Sequence, residues 1–134
     1  MKKIYIAGKL CSEEERALLE GVDKFCKAEG FDTFLPHRDV GVIAFKEEIK
    51  RAFKEDVKAL DECDFVLAVL NGKPGSGTVW EIGYAYSIKK PIIGLKTDKK
   101  VEDSIPELSA MVLGSVKILQ SFEELKEELF NLKG

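Results

Sequence analysis

Short runs rich in apolar residues alternate along the chain with longer segments in which apolar residues recur at helical spacing. The runs lie at 4–7, 31–35, 65–70, 91–95 and 116–119. Each run is too short for a helix and is rich in β-branched or aromatic residues, so each predicts a β-strand. The run at 65–70 is apolar throughout, which indicates a central parallel strand buried on both faces, and the run at 116–119 predicts an edge strand.

The segments between the runs predict amphipathic helices, because their apolar residues lie three or four positions apart. Ser12 with Glu15 and Ser121 with Glu124 are typical capping-box patterns, so they open the first and the last helix. Two further helices are predicted at 44–60 and 78–88. The segment 36–39 is predicted as a loop that breaks regular structure, and 96–114 as a loop containing a short helix at 105–112.

Strands that alternate with helices predict an α/β fold. We expect a doubly wound, flavodoxin-like or Rossmann-like parallel sheet of about five strands, with helices on both faces. The 134 residues show no break in composition, so a single domain spanning 1–134 is expected. Ligands of such folds bind beyond the carboxyl ends of the strands, so the segments 8–10, 36–39 and 71–78 should gather around one pocket.

Composition argues against several classes of function. The net charge of -3 and the interleaving of lysine with glutamate leave no basic surface for a nucleic acid polymer. Cys11, Cys26 and Cys63 lie far apart and in no paired motif, so the expected compartment is the reducing cytoplasm. With a single histidine the chain has few ligands for zinc, and neither a metal nor a cofactor is expected. The apolar start ends too soon for a signal peptide or a membrane span.

One acidic residue, Glu81, follows the glycine-rich turn 71–78, where the predicted helix begins. In a first helical turn the macrodipole stabilises negative charge by about 0.3–1 kcal/mol, so we expect Glu81 to be ionised. An ionised carboxylate beside a sugar has the chemistry of a glycosyl nucleophile. The alternative is an ordinary acidic residue at a helix start, which is common.

The turn before Glu81 could bind a phosphate through free backbone N–H groups. Its sequence GSGT lacks the lysine and the spacing of a P-loop, and it does not match the dinucleotide pattern G-x-G-x-x-G. The turn is therefore not specific when it is considered alone.

Three further ionisable residues lie near the predicted pocket. Asp56 could orient the nucleophile or handle a proton, because neighbouring acids push each other's pKa values apart; alternatively it is a solvated acid between Lys54 and Lys58. His37, the only histidine, could contact a ligand or be an exposed loop residue. Asp64 is interpreted as a turn residue between helix and strand.

Four stretches of the chain together resemble the nucleoside 2-deoxyribosyltransferase family, which includes the 2′-deoxynucleoside 5′-phosphate N-hydrolases. They are IYIAG near the start, FLPHRD, DVKALDECDFVLAVL and SGTVWEIGYAYSIKKPIIGL. The likeness extends from residue 3 to residue 114, and the block EIGYA after a turn of small residues is its most specific part.

The resemblance implies that Glu81 is the nucleophile and forms a covalent deoxyribosyl-enzyme intermediate as the base leaves. Asp56 matches the family's second acid, and Tyr5 matches a tyrosine that lines the sugar and orients the catalytic carboxylate. The substrate-binding residues that we carry over on this basis are Gly8, Lys9 and Leu10 toward the 5′ end of the ligand, and His37 near the base.

Two features of the chain bear on the substrate. Many transferase-like members have an aspartate six residues before the nucleophile, where this chain has Gly75, followed by Ser76 and Gly77. The absence of that carboxylate removes repulsion toward a phosphate, and a hydroxyl with free N–H groups can bind one. The segment Leu108-Ser109-Ala110-Met111 resembles the N-hydrolase branch, in which a serine reaches a neighbouring subunit's site and contacts the 5′-phosphate.

These observations lead to three hypotheses. The first is an N-glycosidase of deoxynucleoside 5′-monophosphates, and the second is a transferase that exchanges bases between deoxynucleosides through the same intermediate. The third is a nucleotide-binding sensor without turnover, because a fold does not guarantee chemistry. A homodimer or larger homo-oligomer is expected, in which Ser109 completes a neighbouring site, and Met111 of the same segment is carried over as a substrate-binding residue.

Overall fold

Five parallel strands form the central sheet of the computed structural model, which describes residues Met1–Gly134. The strands are β1 (Lys3–Ala7), β2 (Asp32–Phe34), β3 (Phe65–Val69), β4 (Ile92–Leu95) and β5 (Lys117–Leu119). Their order in space is β2-β1-β3-β4-β5, and every neighbouring pair is parallel. This is the flavodoxin-like order, whose switch point lies between β1 and β3. The predicted fold class is confirmed.

Six α-helices accompany the strands: α1 (Glu13–Ala28), α2 (Pro36–Asp39), α3 (Ile49–Glu62), α4 (Ser76–Ser87), α5 (Ile105–Ser115) and α6 (Phe122–Lys133). The prediction of a loop at 36–39 is wrong, because Pro36 occupies the first helical position and the Asp39 carboxylate accepts the N–H of Leu35 at 2.9 Å. The helix predicted at 44–60 begins later, since Lys46–Glu48 form a 3-10 turn ahead of α3.

The helix α5 is longer than the predicted 105–112 and is bent at Ser109, whose φ of 66° lies in the left-handed region. Non-glycine residues rarely adopt that conformation, so the bend is a local strain in the chain. No helix in the structure is at once long enough and apolar enough to cross a membrane.

Side chains alternate between the two faces of the sheet, so each strand contributes to two cores. On one face, Ile4 and Ile6 of β1 pack with buried residues of α1 and α6. On the other face, Tyr5 and Ala7 pack with buried residues of α3, α4 and α5. All five residues of β3 are buried, as expected for a central strand covered on both faces.

The predicted capping box is complete at Ser12, whereas at Ser121 only the hydroxyl half is present, because the Glu124 carboxylate accepts the N–H of Gln120 instead. The Ser12 hydroxyl accepts the N–H of Glu15 at 3.1 Å, and the Glu15 carboxylate accepts the N–H of Ser12 at 3.0 Å. The Ser121 hydroxyl accepts the N–H of Glu124 at 3.1 Å. The first cap fixes the segment that leads from β1 into α1, which forms one wall of the site.

Candidate active site

A cavity of about 670 Å³ opens beyond the carboxyl ends of β1 and β3, at the switch point of the sheet. Eight of the predicted site residues line it: Gly8, Lys9, Leu10, Asp56, Gly75, Ser76, Gly77 and Glu81. The remaining lining residues are Cys11, Pro36, Phe53, Val57, Leu60, Thr78 and Trp80. The structure thus brings the segment after β1, the segment after β3 and one face of α3 around a single space.

Tyr5 does not line the cavity itself but contacts Glu81, which does. The Tyr5 side chain is fully buried in the core between the sheet and helices α3, α4 and α5. Its ring stacks on that of Phe34 with centroids 5.3 Å apart. Its hydroxyl donates a hydrogen bond to Glu81 Oε2. Because no protein group bonds Glu81 Oε1, the carboxylate has one oxygen fixed and one oxygen free for a ligand.

Glu81 lies in the second turn of α4, because the helix begins at Ser76 rather than at the predicted position 78. The prediction that the macrodipole keeps Glu81 ionised is therefore wrong, since that effect falls off within the first turn. Burial raises the pKa of Glu81 to about 7, although the Tyr5 hydrogen bond lowers it, and the nearby charge of Asp56 raises it further. Near neutral pH the carboxyl group is poised between its two protonation states.

Asp56 projects from α3 toward the same space. Its Oδ1 atom is buried without a hydrogen-bond partner. Burial, with a smaller contribution from the charge of Glu55, raises the pKa of Asp56 to about 6. Burial and the charges of Glu81 and Asp56 also raise the pKa of Tyr5 well above its ordinary value, so its hydroxyl remains a donor. The charge of Asp56 thus affects the pKa values of both Tyr5 and Glu81. We call these three residues the carboxylate cluster (Tyr5, Asp56 and Glu81).

The other end of the cavity is made from main chain and small residues. Gly75 precedes α4 and no side chain caps the helix, so the first N–H groups at Ser76, Gly77 and Thr78 have no capping partner. These N–H groups and the positive end of the helix dipole face the cavity and suit an anion. We call this end the anion end (Lys9 and residues 75–78).

Lys9 extends along the anion end. A Cβ atom built on Gly75 would lie 3.1 Å from Cγ of Lys9, so the absence of a side chain at position 75 makes room for the lysine stem. The Lys9 ammonium is half-exposed and lies 3.8 Å from a Glu15 carboxylate oxygen. So loose and exposed an ion pair contributes little stability, and the ammonium is available to an incoming anion.

Several lining residues were missed by sequence reasoning. Phe53, Val57 and Leu60 recur at helical spacing on α3, and that spacing predicts burial without distinguishing a core from a cavity wall. Trp80 precedes Glu81, and its ring contacts that of Phe53 edge-on with centroids 5.3 Å apart. Both aromatic side chains are about half exposed, so they form an apolar wall at the mouth of the cavity.

Besides Tyr5, four predicted or considered residues lie outside the cavity. The ring of His37 is directed to α1, where Nε2 lies 3.1 Å from Glu20, so the structure does not bring it to the cavity. Ser109 and Met111 are exposed on α5 and do not line the active-site cavity of their own chain. Asp64 accepts the N–H of Lys3 at 2.7 Å, which agrees with its interpretation as a turn residue. No group of acidic, cysteine or histidine side chains could hold a metal ion.

Comparison with known proteins identifies the family of the chain and its structural relatives. The model of the nucleoside 2-deoxyribosyltransferase family matches residues 4–125. No protein of curated function matches the chain. A 2-deoxyribosyltransferase from Bacillus psychrosaccharolyticus has a similar structure, with a TM-score of 0.79 and 20% identity over 92% of this chain and 90% of its own.

Two other solved structures share the fold. A conserved protein from Enterococcus faecalis V583 has a TM-score of 0.75 and 23% identity, with 98% of each chain covered. The CMP N-glycosidase of Clostridium botulinum has a TM-score of 0.58 and 22% identity, over 99% of this chain and 100% of its own.

The chain belongs to the nucleoside 2-deoxyribosyltransferase family, because the family match covers most of its length. It is accordingly an enzyme of N-glycosidic bonds, either an N-glycosyl hydrolase or the related nucleoside deoxyribosyltransferase.

Proposed function

We propose that the enzyme cleaves the bond between base and sugar in 2′-deoxynucleoside 5′-monophosphates, with Glu81 as the nucleophile. The observation that carries this proposal is the carboxylate cluster: Glu81 has one oxygen held by Tyr5 and the other free toward the cavity. A fixed and partly desolvated carboxylate is suited to attack an anomeric carbon and to stabilise an oxocarbenium-like transition state.

The two ends of the cavity define how the substrate lies. The 5′-phosphate is bound by the uncapped N–H groups of residues 76–78 and by the ammonium of Lys9. The sugar then lies over Glu81 and Asp56, with C1′ at the free oxygen of Glu81. Gly75 favours this orientation, because it brings no negative charge to the phosphate and leaves room for the Lys9 stem.

The reaction proceeds in two steps. Glu81 Oε1 forms a bond to C1′ while the N-glycosidic bond breaks, and the base leaves with the bonding electron pair. The base takes up one proton, for which Asp56 and solvent are the candidate donors. A water molecule then attacks C1′ and gives up a proton to Asp56 or to solvent, while the bond from C1′ to Glu81 breaks, which restores the carboxylate and leaves deoxyribose 5-phosphate. The raised pKa of Asp56, about 6, suits a group that exchanges a proton near neutral pH.

A second function, base exchange between deoxynucleosides, uses the same intermediate with a base in place of water. The structure is more similar to the Bacillus psychrosaccharolyticus deoxyribosyltransferase than to the Clostridium botulinum CMP N-glycosidase, and this difference favours base exchange. The absence of a carboxylate at Gly75 and the open anion end favour the hydrolase. The similarity to a CMP N-glycosidase makes the ribonucleotide a necessary comparison in any assay.

The test is product analysis with matched substrates. The enzyme is incubated with a deoxynucleoside monophosphate, the corresponding deoxynucleoside and CMP, each with and without a foreign acceptor base. We expect free base and deoxyribose 5-phosphate from the deoxynucleotide, and no new nucleoside when acceptor is present. Preferential formation of a new nucleoside would establish the transferase instead, and no product from any substrate would contradict both functions.

We further propose that the enzyme works as a homodimer or larger homo-oligomer in which Ser109 completes the anion end of a neighbouring site. Ser109 stands at the bend of α5 and is exposed, and Met111 is 81% exposed. Neither residue lines the cavity of its own chain. An exposed serine can donate a hydrogen bond to a phosphate only if another copy brings the two together.

Subunit mixing tests this assembly. Glu81→Gln removes the nucleophile, and Ser109→Asp places a charge that repels the phosphate in the neighbouring site. Each variant alone should be nearly inactive, but a mixture that exchanges subunits should regain activity, because some sites combine Glu81 from one chain with Ser109 from the other. A mixture with no more activity than the sum of the two variants would contradict a shared site.

The compartment that we propose is the cytoplasm. Cys11, Cys26 and Cys63 are all free thiols. Persistent unpaired thiols are typical of a reducing compartment. Tagging the protein in its source cell and separating the cell fractions is the direct check.

A further inference from the structure

A lysine is buried where β4 ends. Lys96 follows β4 and has no exposed surface, although β4 itself is apolar. Its ammonium donates to the carbonyl oxygens of Leu70 at 3.0 Å and Gly72 at 3.3 Å, and it lies 3.0 Å from Asp98 Oδ1. The three partners match the three N–H bonds of an ammonium group.

Packing alone does not account for this lysine. Removing an ammonium group from water costs several kcal/mol, and an apolar side chain in such a place is often equally stable or more stable. The three oxygens compensate the buried charge, and two of them are main-chain carbonyls of the turn after β3. The most direct consequence of the lysine is therefore to hold that turn in one position.

Two neighbours of Lys96 bind the same turn. Asp98 accepts the N–H of Gly72 at 2.7 Å. Asn71 and Thr97 form a reciprocal pair, in which the Asn71 amide donates to the Thr97 hydroxyl and accepts the Thr97 N–H, each at 2.9 Å. Residues 96–98, which follow β4, thus bind the turn 70–72, and none of them lines the active-site cavity. We call these contacts the turn clamp.

The turn clamp lies close in sequence to the anion end. Gly72, which has a φ of 68°, is followed by Lys73 and Pro74 and then by Gly75, the residue before α4. Proline has a fixed φ, so the short link from the clamped turn to Gly75 has fewer free dihedral angles with which to absorb a shift of that turn. The carboxylate cluster is less exposed to such a shift, because Tyr5 independently binds Glu81.

We propose that Lys96 is a positioning residue for phosphate recognition: through the turn clamp it sets the position of the N–H groups that bind the 5′-phosphate. This inference rests on the proposed function, in that the anion end is taken as the phosphate site. Lys96 itself touches no substrate. Its removal should therefore weaken binding of the phosphate group and leave the chemistry at Glu81 largely intact.

The test compares Lys96→Met with the parent enzyme on two substrates. We expect KM for the deoxynucleotide to rise about tenfold, the size of effect that follows loss of charge-assisted hydrogen bonds, while kcat changes little. KM for the corresponding deoxynucleoside should stay unchanged. Binding of inorganic phosphate, measured by calorimetry, should weaken by a similar factor, and amide hydrogens of residues 72–78 should exchange faster.

Two other variants keep the test decisive. Asp98→Asn removes the charge that faces Lys96 from a partly exposed position, so it is expected to fold even if Lys96→Met does not, and it should raise KM in the same direction by a smaller factor. Lys99→Met is the matched control, because Lys99 pairs with Glu107 at 3.0 Å and does not contact the turn. It should behave like the parent enzyme.

The outcomes separate this inference from the proposed function. Equal losses on the deoxynucleotide and the deoxynucleoside, or an unchanged affinity for inorganic phosphate in both clamp variants, would overturn the positioning role. If the parent enzyme cleaves no deoxynucleotide, the proposed function fails. In that case the phosphate titration of parent, Lys96→Met and Lys99→Met still decides whether the clamp controls the anion end.

Discussion

The two ends of the cavity consist of different kinds of chemical group. The carboxylate cluster consists of ionisable side chains that are partly or wholly buried, and Asp56 has an oxygen with no hydrogen-bond partner. The anion end consists of backbone N–H groups, two glycines and a half-exposed lysine. At the carboxylate cluster, burial makes the charged forms of the side chains less stable. At the anion end, backbone N–H groups have no partner in the protein and can bind a ligand.

This difference separates reactivity from selectivity. At the carboxylate cluster, burial sets the pKa values, so a substitution there should change kcat and its dependence on pH. At the anion end, small residues set the space and the charge around the phosphate, so a substitution there should change KM for phosphate-bearing substrates. A substitution that altered both quantities equally at either end would break the distinction.

The largest effect is expected from Glu81→Gln. The amide keeps the shape and the Tyr5 hydrogen bond but cannot act as a nucleophile, so kcat should fall on the order of 10⁴-fold or more. Substrate binding, measured by calorimetry, should remain. Rapid quenching of the parent enzyme should trap a deoxyribosyl adduct on Glu81 that mass spectrometry detects.

The control for this prediction is Glu55→Gln. Glu55 is an exposed carboxylate on the neighbouring helix α3, where it pairs with Arg51 at 2.9 Å. Its loss should leave kcat within about twofold, as expected for an exposed surface group. A comparable fall in both variants would show that the loss of activity does not come from the nucleophile.

The next effect concerns the pH dependence of kcat/KM, which should rise as the pH rises through about 7, because Glu81 must be ionised to attack. In Tyr5→Phe the hydrogen bond that lowers the pKa of Glu81 is lost, so this limb should move to higher pH, with a fall in kcat of about 10²-fold. In Asp56→Asn the negative charge that raises the pKa of Glu81 is lost, so the limb should move to lower pH. Shifts in the same direction in both variants would refute the assignment of the limb to Glu81.

At the anion end, Gly75→Asp should raise KM for the deoxynucleotide by about tenfold or more and leave the deoxynucleoside much less affected. The new carboxylate repels the phosphate, and its Cβ atom presses on the Lys9 stem. Gly75→Asn is the matched variant that keeps the size without the charge, and it separates the two causes. Gly83→Ala is the second control, since Gly83 lies on α4 outside the cavity and a Cβ atom there meets nothing within 4 Å.

The fold was predictable because its signals are local. The run at 65–70 and the two capping patterns correspond closely to β3, α1 and α6, since burial on both faces and hydrogen-bonded caps require those residue types. The beginnings of α3 and α4 were less predictable. Phe45 and Gly77 are compatible with several conformations, and only the tertiary packing decides where the helix starts.

The candidate site was predictable in position but not in electrostatics. Glu81, Asp56 and Lys9 could be placed near one another from strand ends and helix faces. The protonation of the two carboxyl groups could not be predicted, because the pKa of Glu81 depends on its burial and on Tyr5 and Asp56 rather than on helix position. His37 shows the same limit, since only the packing of α2 on α1 directs its ring to Glu20. The buried Lys96 gives no signal in a sequence rich in surface lysines.

The smallest effect is on stability and follows from the same pKa shift. The folded pKa of Glu81, about 7, lies above the ordinary value of 4.5, so its protonated form is favoured in the folded protein. Its contribution to stability is therefore fully present below about pH 4.5 and is lost as the pH rises through 7. Since one pKa unit corresponds to about 1.4 kcal/mol, Glu81→Gln should match the parent protein at low pH and exceed its free energy of unfolding by up to about 3 kcal/mol at pH 8. Urea unfolding of both proteins at pH 5 and pH 8 measures this difference. If the stability of the variant minus that of the parent is smaller at pH 8 than at pH 5, burial does not destabilise the charged carboxylate.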